Sequence, residues 1–274
     1  MPELQEVIPS VFTKGRRKPP FFYGQNQGMT SIAILSALAQ EQRGLLELLQ
    51  GPSKVSHAGR DFWLGHLHGH AVVLALSRIG KVAAATTATA LIERFGVQRM
   101  VFTGVAGGLG RGVNVGDVVV GHDFVQHDLD VSPLFPRYEV PLYGKTRFDG
   151  DVVLTTALFE ASRNALSDPH LLQAYPAAKV HLGLIASGDR FVSNATESKD
   201  LRAALLAAGH DVLAVEMEGA AVAQVCHDYS VPFAAVRTIS DRADDSAHAD
   251  FPSFIDQVAS KYAQAIVAAF LKTL

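Results

Sequence analysis

The chain is poor in the features that mark several large classes of protein. It has a single cysteine, Cys226, in 274 residues, so an intramolecular disulfide is impossible. A lone cysteine in an apolar stretch reads as a buried core residue, fits a reducing compartment and sets a cytoplasmic expectation. There is no apolar run of the roughly 18 residues that a membrane span needs. The net charge is −3, and no basic stripe interleaved with aromatics appears, which argues against a nucleic-acid ligand. No internal repeat or low-complexity linker divides the chain, and no secretory leader with an apolar core opens it. Neither a Gly-x-Gly-x-x-Gly fingerprint opening a helix nor a Gly-Lys-Ser/Thr phosphate loop is found, so no cofactor is called for.

What is present is a sizeable core. Hydrophobic residues make up 48% and charged residues 19%, and strand-like runs alternate with helical ones. That alternation predicts a single-domain α/β fold with a central mixed β-sheet flanked by helices in three layers. Strands are expected at Ile32–Ala37, Val72–Leu76, Met100–Thr103, Asp117–Val120, Val180–Ala186, Val212–Val215 and Phe233–Ile239. The clearest helices are Lys81–Phe95, Thr196–Ala208, Gly219–Tyr229 and Phe254–Leu271. Residues 1–28 differ from the rest. Lys14, Arg16, Arg17 and Lys18 stand against Glu3 and Glu6, a net of +2, followed by Pro19 and Pro20. They read as a peripheral tail, with 29–274 as the catalytic domain and Met29 as a candidate natural start.

Three segments carry chemistry. In Ala214-Val215-Glu216-Met217-Glu218-Gly219, two carboxylates flank a methionine where an apolar strand meets a helix. A strand end rarely tolerates two carboxylates unless they are paired or face solvent. Alternation puts both on one side, which suits a polar edge and a site equally. In Phe233-Ala234-Ala235-Val236-Arg237-Thr238-Ile239-Ser240-Asp241, an apolar strand ends in Arg, Ser and Asp. Helix capping is one use of Ser-Asp; a shared rim at the carboxyl ends of strands is the other, and the two segments together favour the rim. The third pairs Ile79-Gly80-Lys81, opening a helix, with Thr103-Gly104-Val105-Ala106-Gly107-Gly108, read as a strand entering a glycine-rich turn. Backbone N–H groups there can approach an anion or a sugar.

With these segments, and with Ala37–Glu41, His127-Asp128 and Ser187-Gly188-Asp189, the chain resembles the purine nucleoside phosphorylase/uridine phosphorylase superfamily. Within it, the chain is most similar to the 5'-methylthioadenosine/S-adenosylhomocysteine nucleosidases, from about Thr30 to the C-terminus. The resemblance implies hydrolysis of the N-glycosidic bond of 5'-modified adenosines with release of adenine. It implies Glu41 as the carboxylate that activates water, Asp241 as the acid at purine N7 with Ser240 beside it, and Arg237 near the water and the acidic cluster. It places Glu218 on the ribose hydroxyls, Met217 under the sugar, and Phe191 and Val192 around the base. Phe251 falls near the 5' substituent, with Ile79, Val105, Ala106 and Gly107 along the site. A homodimer is implied as well, with the proline-aromatic stretch 131–149 packing across it. These residue types suit the reaction, because bond cleavage builds positive charge on the sugar and negative charge on the base.

Four departures from the family's pattern bear on the substrate: Val105 in place of a serine, Ala39-Gln40 in place of glutamates, Leu38 for methionine, and Arg78 for a small residue. Arg78 reads as a strand-end arginine facing solvent or, turned inward, as an anion ligand. A phosphorylase, a hydrolase of futalosine-type nucleosides and a non-catalytic nucleoside-binding protein are the alternatives. His66-x-His68-x-His70 has the spacing of a metal site on one strand face, but Gly65 and Gly69 favour a hairpin turning at His68-Gly69, with solvated histidines and no metal.

Overall fold

The computed structural model describes residues 31–244, 251 and 254–274. The basic tail, Met29 and the end of the polar loop after Asp241 lie outside the described residues. Ten strands form one mixed sheet: β1 (Ile32–Ser36), β2 (Gln50–His57), β3 (Arg60–Leu67), β4 (His70–Leu76), β5 (Arg99–Gly108), β6 (Val118–Gln126), β7 (Arg147–Asp149), β8 (Val180–Ser187), β9 (Val212–Glu216) and β10 (Phe233–Asp241). The helices are α1 (Ala39–Leu48), α2 (Lys81–Phe95), α3 (Val152–Ala165), α4 (Ala195–Ala207), α5 (Gly219–Tyr229) and α6 (Ser260–Leu271).

The central strands are apolar throughout because both faces are covered. On one face α1, α3 and α6 pack through Leu45, Leu158, Ile266 and Phe270. On the other, α2 and α5 meet through Ala84, Ala88, Ala220 and Cys226 beneath Phe102 and Phe124. Each large side chain buried in this way contributes about 1.5–3 kcal/mol of transfer free energy. The mixed sheet between helical layers is the architecture expected. Its additional feature is closure. β5 runs parallel to β1 and β10 and then meets β9 antiparallel at Gly107–Val215 and Gly108–Ala214, so β5, β10, β6, β8 and β9 form a ring.

That closure corrects one expectation. The glycine-rich segment is not a turn: β5 continues through Gly108. At Gly107 a Cβ would lie 2.9 Å from Ala243 Cβ and 3.0 Å from Asp241 Oδ1, so glycine here serves the close approach of β5 and the end of β10. Two helices were not anticipated. α3 begins Val152-Val153-Leu154-Thr155-Thr156, a largely β-branched run of weak helix formers. It is helical because Asp151 caps it, accepting the Leu154 N–H at 2.9 Å, and because its apolar face meets α6. α1 is short and mostly polar, opening Ala39-Gln40-Glu41-Gln42-Arg43; it is held by α6, where Ser260 Oγ accepts the Gly44 N–H at 3.1 Å.

The hairpin turns at His68–Gly69, both with positive φ. His66 pairs with Ala71 and Leu67 with His70, so His66 and His70 point to opposite faces of the ribbon and the three imidazoles do not converge.

Candidate active site

The carboxyl ends of β1, β5, β8, β9 and β10 surround a cavity of about 360 Å³. Glu41, Ile79, Val105, Ala106, Gly107, Phe191, Val192, Met217, Glu218, Ser240, Asp241 and Phe251 all line it, so the structure brings together twelve of the thirteen residues singled out in the sequence. Ala37, Leu38, Arg190, Val215 and Glu216 complete the wall.

Glu41 sits at the third position of α1 and is buried. One carboxylate oxygen accepts the N–H groups of Ala37 at 2.8 Å and Leu38 at 2.9 Å, donors that a helix start leaves without partners. The other accepts the Val105 N–H at 3.1 Å, so the side chain bridges α1 and β5. Burial raises its pKa above the ordinary carboxylate value, against the opposing pull of these N–H groups and of Arg237. A carboxylate held in a dry wall with raised basicity is suited to taking a proton from water.

Arg237 is the thirteenth residue, and it does not line the cavity. It lies buried behind the wall, donating to Glu216 Oε2 from Nη2 at 2.7 Å and from Nε at 3.2 Å, and to the Phe102 carbonyl from Nη1 at 3.2 Å. Its guanidinium carbon stands 4.0 Å from the centroid of the Phe102 ring. All of this directs it to the protein, so its place is that of a support to Glu216. Glu216 is the carboxylate that sequence reasoning left without a role; Val-Glu-Met-Glu was its signal.

Glu218 is buried on the cavity wall, where one of its oxygens accepts the Gly80 N–H at 3.0 Å. Burial first, and the neighbouring Glu216 second, raise its pKa, with Arg237 and the Gly80 N–H opposing. At the other end, Asp241 Oδ1 accepts the Ala243 N–H at 2.8 Å and Asp241 Oδ2 accepts the Ser240 hydroxyl at 2.8 Å. Phe191 and Phe251 meet edge to face with centroids 5.7 Å apart, an aromatic corner suited to a planar ring.

A clasp outside the cavity was not anticipated as a unit, though His127-Asp128 and Ser187-Gly188-Asp189 had been noted. Asp128 accepts Lys81 Nζ at 2.6 Å and the Asp189 N–H at 2.8 Å, while Asp189 accepts the Lys81 N–H at 2.7 Å. Arg78 points away from the cavity; its guanidinium donates to the Gly59 carbonyl on the β2–β3 turn. Among the described residues, no cluster of three or more His, Cys, Asp or Glu is arranged to hold a metal ion.

Residues 31–272 match the family model of the phosphorylase superfamily. A 5'-methylthioadenosine/S-adenosylhomocysteine nucleosidase of Bacillus anthracis is 38% identical over 228 residues, covering 83% of this chain and 93% of its own length. Among solved structures, the nucleosidase of that name from Neisseria meningitidis, in complex with methylthio-immucillin-A, is 37% identical with a TM-score of 0.80, covering 90% of this chain and 100% of that one. A futalosine hydrolase of Helicobacter pylori is 31% identical with a TM-score of 0.78, covering 90% of this chain and 99% of that one. The chain belongs to the phosphorylase superfamily and, within it, to the 5'-methylthioadenosine/S-adenosylhomocysteine nucleosidase family.

Proposed function

We propose that the protein hydrolyses the N-glycosidic bond of 5'-modified adenosines such as 5'-methylthioadenosine and S-adenosylhomocysteine, releasing adenine. The observation that carries this reading is the convergence of Glu41, Glu218 and Asp241, from three separate elements, on one cavity of about 360 Å³. That volume lies within the range of small-molecule sites.

In this reading the base lies against Phe191 and Val192, and Asp241 delivers a proton to purine N7 as the glycosidic bond lengthens. Glu218 accepts the sugar hydroxyls. Glu41 takes a proton from the water that attacks the sugar carbon, so the electron pair of the broken bond leaves with the base. A positioned acid or base of this kind contributes roughly 10²–10⁴-fold in rate. Leu38, Val105 and Phe251 line the cavity and favour an apolar 5' substituent.

Phosphate is disfavoured as the nucleophile by charge. Glu41, Glu216, Glu218 and Asp241 line the cavity, Arg190 is the one Lys or Arg among its described lining residues, and Arg78 is turned away. A futalosine-type nucleoside is the second reading, supported by the resemblance to the Helicobacter pylori hydrolase. Adenine release from 5'-methylthioadenosine, followed with and without phosphate, separates these readings. Release without phosphate is expected; strict dependence on phosphate would make the enzyme a phosphorylase.

A homodimer belongs to the same proposal. Ile79 and Val82 at the start of α2, and Leu134 and Leu142 in the proline-rich stretch, are large apolar side chains more than half exposed. Tyr143 ties that stretch to α5 through its hydroxyl, which donates to Asp228 at 2.9 Å. Such exposure marks interaction surface, and sedimentation at micromolar concentration should find a dimer. Action in the cytoplasm fits the lone buried Cys226, and a part in methionine salvage follows from the substrates proposed; no helix among the described residues is long and apolar enough to cross a membrane.

A further inference from the structure

The reaction leaves one carboxylate of the cavity wall unused. Glu216 lines the cavity, its side chain is 2% exposed, and every hydrogen bond it makes is as acceptor. Oε1 accepts the Ser187 hydroxyl and the Gly219 N–H at 3.0 Å. Oε2 accepts the Glu218 N–H at 3.2 Å, the Gly219 N–H at 2.9 Å, and the Nε and Nη2 groups of Arg237. Ser187 is itself held, its Oγ accepting the Ala220 N–H at 2.7 Å. The carboxylate therefore occupies the amino-terminal end of α5, where orphan N–H groups and the helix dipole favour negative charge.

This arrangement acts on Glu218 in two ways. It grips the backbone on either side of the Glu218 Cα, through the N–H groups of Glu218 and Gly219. The chain turns there with φ −138° and ψ −40° before α5 begins. It also places a second carboxylate next to that of Glu218. The other groups around Glu218 are Arg237 from β10, Glu41 from α1 and the Gly80 N–H at the start of α2. Asp189 approaches Gly80 from the β8–α4 loop, and Asp241 lines the same cavity.

We propose that Glu216 is a positioning residue for the sugar end of the cavity. It fixes Glu218 and Arg237 in place, and its charge adds to burial in setting the pH at which Glu218 becomes a full acceptor for sugar hydroxyls. The sugar in this statement rests on the nucleosidase reading; the effect of Glu216 on Glu218 does not. Burial also acts on Glu218, but burial is nearly the same with glutamine at 216, so the charge can be tested separately.

The test is a ¹³C titration of the Glu218 carboxyl carbon in the ligand-free protein, its signal assigned by its loss in Glu218→Gln. Glu216→Gln should lower the Glu218 midpoint by about one pH unit or more; an unchanged midpoint overturns the electrostatic half of the proposal. Glu216→Asp keeps the charge but withdraws it by one methylene. It should keep a raised midpoint while kcat/KM for 5'-methylthioadenosine falls about tenfold. Wild-type kcat/KM in that folded variant overturns the positioning half. Should Glu216→Gln not fold, the Glu216→Asp titration decides: withdrawal of the charge should bring the Glu218 midpoint below its wild-type value, and an unchanged midpoint overturns the electrostatic half of the proposal. A wild-type protein that cleaves no 5'-methylthioadenosine would defeat the nucleosidase reading and leave the titration result standing.

Discussion

Gly104 lies directly under the carboxylate of Glu41: a Cβ there would stand 3.0 Å from Oε1 and 3.3 Å from Cδ. The absence of a side chain on β5 is what allows Glu41 to reach the Val105 N–H from α1. Gly104→Ala should therefore displace Glu41 while leaving the strand intact. The carboxylate would have to give by a few tenths of an ångström, and since about 1 Å at a reacting group can cost on the order of 10²-fold in rate, a loss of roughly tenfold or less follows. A kcat reduced to that degree, with little change in melting temperature, is expected; wild-type kcat would show that Glu41 has no such positional demand.

Asp241 and Ser240 make a second pair open to test. With Asp241 as the N7 acid, Asp241→Asn removes the proton donor but keeps a side chain of the same shape. Turnover should fall roughly 10²–10⁴-fold, and an unreactive nucleoside analogue should still bind within about threefold of wild type. Ser240→Ala removes the hydroxyl that donates to Asp241 at 2.8 Å and should have a smaller effect, about tenfold or less. Rapid-quench measurement of adenine formation distinguishes the two, and substantial turnover in Asp241→Asn would remove Asp241 from the role of acid.

The titration of the buried carboxylates predicts how stability responds to pH. Glu41 and Glu218 have pKa values raised from 4.5 in the folded protein, chiefly by burial. Well below pH 4.5 both groups are protonated whether the chain is folded or not. As the pH rises past that value the unfolded chain releases these protons while the folded one retains them, so the unfolded state is favoured. Their contribution to stability is thus fully present at low pH and declines until the folded groups ionise. Glu218→Gln removes one of these titrations. Its melting temperature relative to wild type should be higher at about pH 8 than at about pH 4.5, even though its sugar contacts are impaired. A pH-independent difference between the two proteins would count against a raised Glu218. Stability given up at a functional carboxylate is a common trade.

Much of the site was legible because its residues break the rules of a core. Glu216, Glu218, Arg237 and Asp241 stand in or beside apolar strands where packing alone would place none of them, and the resemblance supplied roles for all but Glu216. Arg237 stands behind the cavity wall rather than on it, for a physical reason. Sequence shows that a charge lies near others but not which partner it takes, and Glu216 claims two of its nitrogens. α3 was not among the helices expected: Val152, Val153, Thr155 and Thr156 are β-branched and weak helix formers, while the decisive contacts to α6 lie about a hundred residues away in the chain. The glycines of β5 were read as a turn because the strands they admit, β9 and β10, arrive only with the closed sheet.

The clasp beside the cavity links its two ends. Gly80 donates to Glu218 at the sugar end, and Lys81, the next residue, pairs through its ammonium with Asp128 and through its N–H with Asp189. Asp189 begins the loop that carries Phe191 and Val192 at the base end. The Lys81 and Asp128 side chains are only 16% and 30% exposed, so the pair is better shielded than a surface ion pair, although its net worth remains modest. Lys81 and the Asp189 N–H together hold the Asp128 pKa below its ordinary value, outweighing the effect of burial. Asp128→Asn halves the acceptor capacity while preserving size, loosening α2 from the loop. Base and sugar would then be held less firmly as a unit, and KM for the nucleoside should rise about tenfold, with kcat changed less than about threefold. Adenine alone, which does not span the clasp, should lose less affinity than the nucleoside. Equal losses for adenine and nucleoside would mean that Asp128 supports only the loop, and that the two ends of the cavity are positioned independently.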